Sequence, residues 1–148
     1  MKTLSLATAA ALALLASAGA AAAADVTVTV SGVQARGGSL LGSLQTREQF
    51  MRGSGVRQAV AKVNGAGAVT LTFKDVPAGD YAVSVMHDQN DDRQMNLAPS
   101  GIPAEGVATS GSHRGFPRFE DAAFKVGDQN VSTSASMLYM DGKIPGSN

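Results

Sequence analysis

Val26, Val28 and Val30 alternate with Thr27 and Thr29, and Val69, Leu71 and Phe73 alternate in the same way with Thr70, Thr72 and Lys74. A period of two built largely from β-branched and aromatic residues puts one face of an extended chain in a core and the other in water. Tyr81, Val83 and Val85 repeat the spacing, and no stretch after residue 24 sustains a 3.6-residue apolar period over three turns. The chain is therefore committed to strands. Ser39 to Gln45, after Gly37-Gly38, reads as a second strand able to pair back on the first, with Leu40, Leu41 and Leu44 available to the core. Thr46 as an N-cap with Gln49 three residues on predicts one helical turn that drops Phe50 or Met51 onto the sheet edge. Val56 to Val63, the turn Asn64-Gly65-Ala66-Gly67 and the strand from Val69 read as a hairpin, and Asp75 to Asp80 as a second tight turn. Ala122 to Val126 and Val131 to Met140 complete about seven short strands. That set predicts an all-β fold, an antiparallel β-sandwich of immunoglobulin-like or transthyretin-like type, with a small barrel as the alternative.

The first residues have a different character. Lys2 is followed by the uncharged Leu/Ala run Leu4 to Ala18, and Ala22-Ala23-Ala24 before Asp25 has the small residues a signal peptidase needs. Interrupted by Ser5, Thr8, Ser17 and Gly19, the run is too short and too weakly apolar to span a bilayer. Residues 1–24 are expected to be a secretory signal cut before Asp25, and 25–148 one periplasmic or secreted domain with no membrane span. With no cysteine in the chain, disulfides, thiol chemistry and Cys-type zinc sites are excluded. Twelve basic side chains balance twelve acidic ones and are scattered along the chain, which argues against nucleic acid as a partner.

The interval Asp88 to Gly115 lacks periodicity and concentrates polarity, and an unstructured interval of that length inside a small domain points to a functional loop. Asp88, Asn90, Asp92 and Asn96 follow the i, i+2, i+4, i+8 spacing by which a tight loop wraps calcium, so these four are the candidate metal ligands. Arg93 stands where such a turn wants glycine, and Pro99 where a bidentate glutamate would close the cage. The competing reading is a solvated turn whose Asx side chains bond their own backbone. His87 beside Asp88, and His113 near Ser110 and Ser112, are the candidate acid-base groups, although no nucleophile elbow accompanies them. His87, His113, Phe116 and Phe119 form the candidate ligand surface, with core packing as the alternative use of Phe116, Phe119 and Phe124.

Taken in order, several segments resemble one family. They are the opening strand followed by Gly37-Gly38, then Val76-Pro77-Ala78-Gly79-Asp80-Tyr81-Ala82-Val83, His87-Asp88-Gln89-Asn90, Gly101-Ile102-Pro103-Ala104-Glu105-Gly106, and Phe116-Pro117-Arg118-Phe119-Glu120-Asp121-Ala122-Ala123-Phe124. Together they are similar to the secreted bacterial proteins grouped as domain of unknown function 2141. Members usually read H-D-x-N-x-N-G-x-x-D in the middle; here Arg93 replaces the glycine and Asn96 the last aspartate. The resemblance implies an exported β-sandwich and brings no established activity. The function expected is a non-catalytic extracytoplasmic binding or interaction module, its partner an envelope component or glycan, with calcium in the 88–96 loop as its one candidate cofactor. The alternatives are a structural or stress-related envelope protein without a small ligand, and an envelope hydrolase using His87 with Asp88 or His113 with a loop serine.

Overall fold

The computed structural model describes residues 23–111 and 116–142. The expected signal segment 1–24 lies outside them except for Ala23 and Ala24, which open the first strand. Eight strands follow in order: β1 Ala23–Val33, β2 Ser39–Gln45, β3 Arg57–Lys62, β4 Gly67–Pro77, β5 Gly79–Asp88, β6 Gly106–Thr109, β7 Phe124–Val126 and β8 Val131–Ser136. One helical turn, α1 Phe119–Ala122, precedes β7. No described helix is long and apolar enough to cross a membrane.

The strands form two packed sheets, so the chain is the predicted all-β sandwich. The first sheet has the order β4-β1-β8; the second has the order β3-β2-β5-β6, with β7 pairing with the start of β5. Every strand pairing is antiparallel except that of β1 with β8, which is parallel. The alternating residues behave as their period demands. Val26, Val28, Val30, Leu71 and Phe73 are buried, as are Leu40, Leu44, Val83 and Val85 from the other sheet. Each fully buried side chain of this size contributes roughly 1.5–3 kcal/mol.

Partner choice departs from the expectation. β2 pairs with β3 and β5 and does not return to β1, and the expected hairpin around 64–67 is an arch, since β3 belongs to the second sheet and β4 to the first. The chain crosses the sandwich again at Ala78, so the turn at 75–80 also joins different sheets. The cause is facial: Ala59 and Val63 on one side of the arch and Leu71 and Phe73 on the other are all buried, and only opposed sheets let both sets share a core. The sheets approach closely at Gly42, where a Cβ would lie 2.8 Å from Leu71 Cδ1 and 2.9 Å from Phe73 Cζ. Within the interval expected to be one loop, Gly106–Thr109 is a strand, β6, paired with β5.

Leu41 is also reassigned. It is opposite Val60 and Met86, on the outward face of the second sheet, whereas its neighbours Leu40 and Leu44 face inward. Residues 46–50 make a hydrogen-bonded turn where one helical turn was expected, with Gln49 Oε1 accepting from the Thr46 amide at 3.2 Å. Phe50 is the residue it buries, edge-on to Phe119 at 5.8 Å between ring centroids, while Met51 is exposed.

Candidate functional site

The loop after β5 is folded around two buried carboxylates. Asp88, 1% exposed, accepts the Asp92 amide at Oδ1 (3.1 Å) and the Arg93 amide at Oδ2 (2.8 Å). Glu105, 4% exposed, accepts the Gln89 amide at Oε1 (3.0 Å) and the Asn96 amide at Oε2 (3.2 Å). Four backbone N–H groups that would otherwise need water are thus satisfied from below, which lets an irregular segment keep one shape. Asp91 and Arg93 take left-handed φ values of 58° and 61° to make the turns. Arg93 therefore does occupy a position suited to glycine.

Of the four expected metal ligands, the side chains of Asn90, Asp92 and Asn96 form a hydrogen-bonded set, while both Asp88 oxygens are taken by backbone amides. Asp92 Oδ2 accepts Asn90 Nδ2 (2.9 Å) and Asn96 Nδ2 (3.0 Å), its Oδ1 accepts the Gln94 amide (2.8 Å), and Asn90 Oδ1 accepts the Asp92 amide (3.2 Å). The Asn96 side chain first, then the Gln94 amide, holds the Asp92 carboxyl below the usual carboxylate range. Asp91, off the ligand spacing, turns the other way. It accepts Lys62 Nζ (2.6 Å) and Ser39 Oγ (2.7 Å), and Lys62 is the main cause of its lowered pKa.

The expected ligand surface is corrected at two of its four positions. His87 is fully buried on the inward face, where its Nε2 lies 2.7 Å from the Gly37 carbonyl and its Nδ1 2.6 Å from the Tyr139 hydroxyl. The carbonyl can only accept, so Nε2 carries the proton; the Tyr139 oxygen accepts the Gln34 amide (3.0 Å) and has its own proton for Nδ1. Arg36 stacks over the Tyr139 ring at 4.6 Å and pairs with Asp141. The imidazole is a clamp holding the C-terminal segment against the loop between β1 and β2. Phe119 is buried in a small second core with Phe50, Ala82 and Ala122, under Arg47, which lies 4.8 Å over the ring and pairs with Glu120. Phe116 is 92% exposed. His113 lies outside the described residues, as does Ser112.

His87 and Asp88 leave opposite faces of β5 and share no hydrogen bond, so they make no acid-base pair. Ser110 is buried, donating to the Ala122 carbonyl (2.7 Å) and accepting the Val83 amide (2.9 Å).

The outward faces of the two sheets differ. On the first sheet the outward residues are hydroxyl-bearing: Thr27 is opposite Thr72 and Ser132, and Thr29 is opposite Thr70 and Ser134. On the second sheet one register row is apolar from edge to edge. Val60, Leu41, Met86 and Val107 are successive cross-strand partners, and Leu138 pairs with Val107 beyond them. Val60 is 60% exposed and Leu138 47%, with the three between them partly exposed. A cleft of about 280 Å³ opens at the Val60 end, its lining including Leu41 and Val60 together with the charged Lys62, Asp88, Asp91 and Arg93. The sequence concealed this row because each strand contributes one residue to it; the available signal was an apolar residue at an outward position of the alternation, as at Leu41 and Met86.

A family model described as "Uncharacterized protein conserved in bacteria (DUF2141)" matches residues 28–134. No curated protein and no solved structure matches the chain.

Proposed function

Because the chain belongs to the DUF2141 family of uncharacterised bacterial proteins, we propose that it is a non-catalytic extracytoplasmic binding module that meets its partner with the outward face of the second sheet. The apolar row Val60, Leu41, Met86, Val107, Leu138 carries this reading. A sheet face in water normally shows polar residues, as the first sheet's Ser/Thr face does, and a contiguous apolar strip rimmed by polar groups is the usual mark of an interaction surface. The partner is an envelope component with a complementary apolar ridge. A photo-cross-linking residue at Leu138 is expected to capture it in cells, while one at Thr72 on the other face does not. Purified, that component should lose at least roughly tenfold in affinity on Met86→Asp, the scale of a disrupted contact in an interface centre. Capture from both faces alike, or unchanged affinity in Met86→Asp, refutes the assignment.

The 88–96 loop adds a weak calcium site at Asp88, Asn90, Asp92 and Asn96 to this reading, supported by the clustering of the Asn90, Asp92 and Asn96 side chains. A half-turn of the Asn96 amide would present an oxygen in place of its nitrogen, while Asn90 keeps its Oδ1 on the Asp92 amide. Two carboxylates make a low-affinity set, on the order of 10⁻⁴ to 10⁻³ M. At ten times Kd the gain is about 1.4 kcal/mol. Melting curves in calcium and in EDTA should differ by a few degrees, a difference lost in Asp92→Ala and kept in Asp91→Ala. Coincident curves, or equal losses in both variants, remove calcium from the account.

A further inference from the structure

Among the described residues, three of the free strand edges, those of β4, β8 and β6, take hydrogen bonds from a neighbouring segment along part of their length. Arg57 covers one end of the free edge of β4, donating from Nε to the Lys74 carbonyl (3.2 Å) and from Nη2 to the Asp75 carbonyl (2.8 Å). On the opposite side the bridge between Ser110 and Ala135 and the Gly111 amide on the Ser134 carbonyl cover the end of β8, and reciprocal bonds between Val107 and Leu138 cover the middle of β6. β3 is the outermost strand of the second sheet, and among the described residues no backbone group bonds to its outer edge. The Val63 amide donates to the Gly38 carbonyl (3.1 Å) in the same register as the β2–β3 pairs. Odd-numbered residues of β3 therefore turn their backbone groups toward β2, and Gln58, Val60 and Lys62 turn theirs outward. Such a row is a template for another strand.

We propose that the protein forms a two-fold symmetric dimer in which β3 pairs antiparallel with β3 of a second copy, Val60 opposite Val60. This register sets Gln58 opposite Lys62 on both sides of the axis and uses every outward-facing residue of the strand. Centring the axis on Lys62 would place like charges opposite each other, which is unfavourable. Centring it on Gln58 would leave Lys62 beyond the paired region. Lys62 brings its own counter-ion, Asp91, so a neutral Gln58 suits it as a neighbour. The strand has no proline, and its two charges, Arg57 and Lys62, stand at its ends and leave Gln58 to Ala61 uncharged. The apolar row ends at this edge with Val60 well exposed, and pairing joins the two rows into one strip across both copies. An isologous contact of this kind closes on itself and makes a dimer instead of a fibre. The dimer does not depend on the binding role proposed above.

The chain has no cysteine, so single-cysteine variants report the register directly. Val60→Cys would place two thiols on Cα atoms about 5.5 Å apart, inside the disulfide range of roughly 4.4–6.8 Å. Gln58→Cys would meet its own copy four residues out of register, and Thr72→Cys lies on the other sheet. Mild oxidation of the exported protein is expected to cross-link Val60→Cys at least roughly tenfold faster than either control, through the raised effective concentration of the thiols. Gln58→Cys mixed with Lys62→Cys should cross-link as a heterodimer. By sedimentation the unaltered protein should dimerise with concentration, and Val60→Pro, which removes an outward N–H at a position where an edge tolerates proline, should remain monomeric with an unchanged far-UV spectrum. Equal rates in the three cysteine variants, a faster rate in Gln58→Cys, or a monomer at every concentration overturns the proposal. Should Val60→Pro fail to fold, the cross-linking ratio decides by itself.

Discussion

Replacing Arg93 with glycine should make the domain more stable. Arg93 sits at φ 61°, and its amide is held by Asp88 Oδ2 at 2.8 Å, so the backbone is fixed in the left-handed region by a bond the side chain does not make. A residue with a Cβ loses roughly 1–2 kcal/mol there. Glycine removes that strain and keeps the N–H, at an entropic cost of about 0.5–1 kcal/mol. The difference is a gain of about 0.5–1 kcal/mol, which for a domain of this length raises Tm by roughly 2–4 °C. Arg93→Ala separates backbone from charge: it keeps the strain, loses the guanidinium, and should stay within about 0.5 kcal/mol of the parent. Thermal unfolding followed by circular dichroism, with a urea titration for ΔG, reads both variants. A lower Tm in Arg93→Gly, or an equal rise in Arg93→Ala, would refute the argument from backbone strain.

His87→Ala should lower stability by about 3 kcal/mol or more in urea, because it opens a void and strips both Tyr139 and Gly37 of a buried partner; an exposed-residue effect below ~0.5 kcal/mol would contradict the clamp. Tyr139→Phe, which removes the hydroxyl between Gln34 and His87, should cost about 1–2 kcal/mol, and a neutral outcome would show the hydroxyl is dispensable. Gly42→Ala should destabilise by about 1–3 kcal/mol through overpacking against Leu71 and Phe73, and an unchanged urea midpoint would mean the two sheets can part there. Hydrogen bonds from Lys74 to Asp25, from Lys62 to Asp91 and from Asn96 to Asp92 hold these carboxyls below their usual range. A depressed folded-state pKa gives stability that is complete above the ordinary aspartate value near ~3.9 and lost as pH falls through the folded-state values; a pH titration of the urea midpoint showing loss already between neutrality and that value would assign acid sensitivity to other groups.

Strand existence was legible and strand partnership was not. The Val/Thr alternation at 26–30 and 69–73 marks which side chains face the core, because a period of two is enforced wherever one face is buried. It carries no information about which sheet a strand joins, so the residues Asn64 to Gly67 look the same as a hairpin turn or as an arch. β6 was hidden because Gly106-Val107-Ala108-Thr109 is short and half composed of small residues. Spacing alone accounts for the contact of Asn90, Asp92 and Asn96, since a tight loop brings nearby residues together. The burial of Asp88 and Glu105 was not legible, because carboxylates are ordinarily exposed and only the amides folded over them make burial tolerable. For His87, the partner that explains it is Tyr139, 52 residues away.

The parallel pairing of β1 with β8 sets Val26 opposite Val131, so the first strand is completed by nearly the last one to be made. A chain that emerges from its N-terminus must hold Val26, Val28 and Val30 without one of their two neighbours until residues 131–135 have been delivered. Contacts so distant in sequence slow folding, and the waiting strand is exposed to pairing with other molecules meanwhile. A protein stopped at residue 130 would lack an entire edge of its first sheet and should aggregate instead of forming a smaller sandwich. The first sheet is therefore complete only once β8 has followed β1 out, about a hundred residues later in the chain.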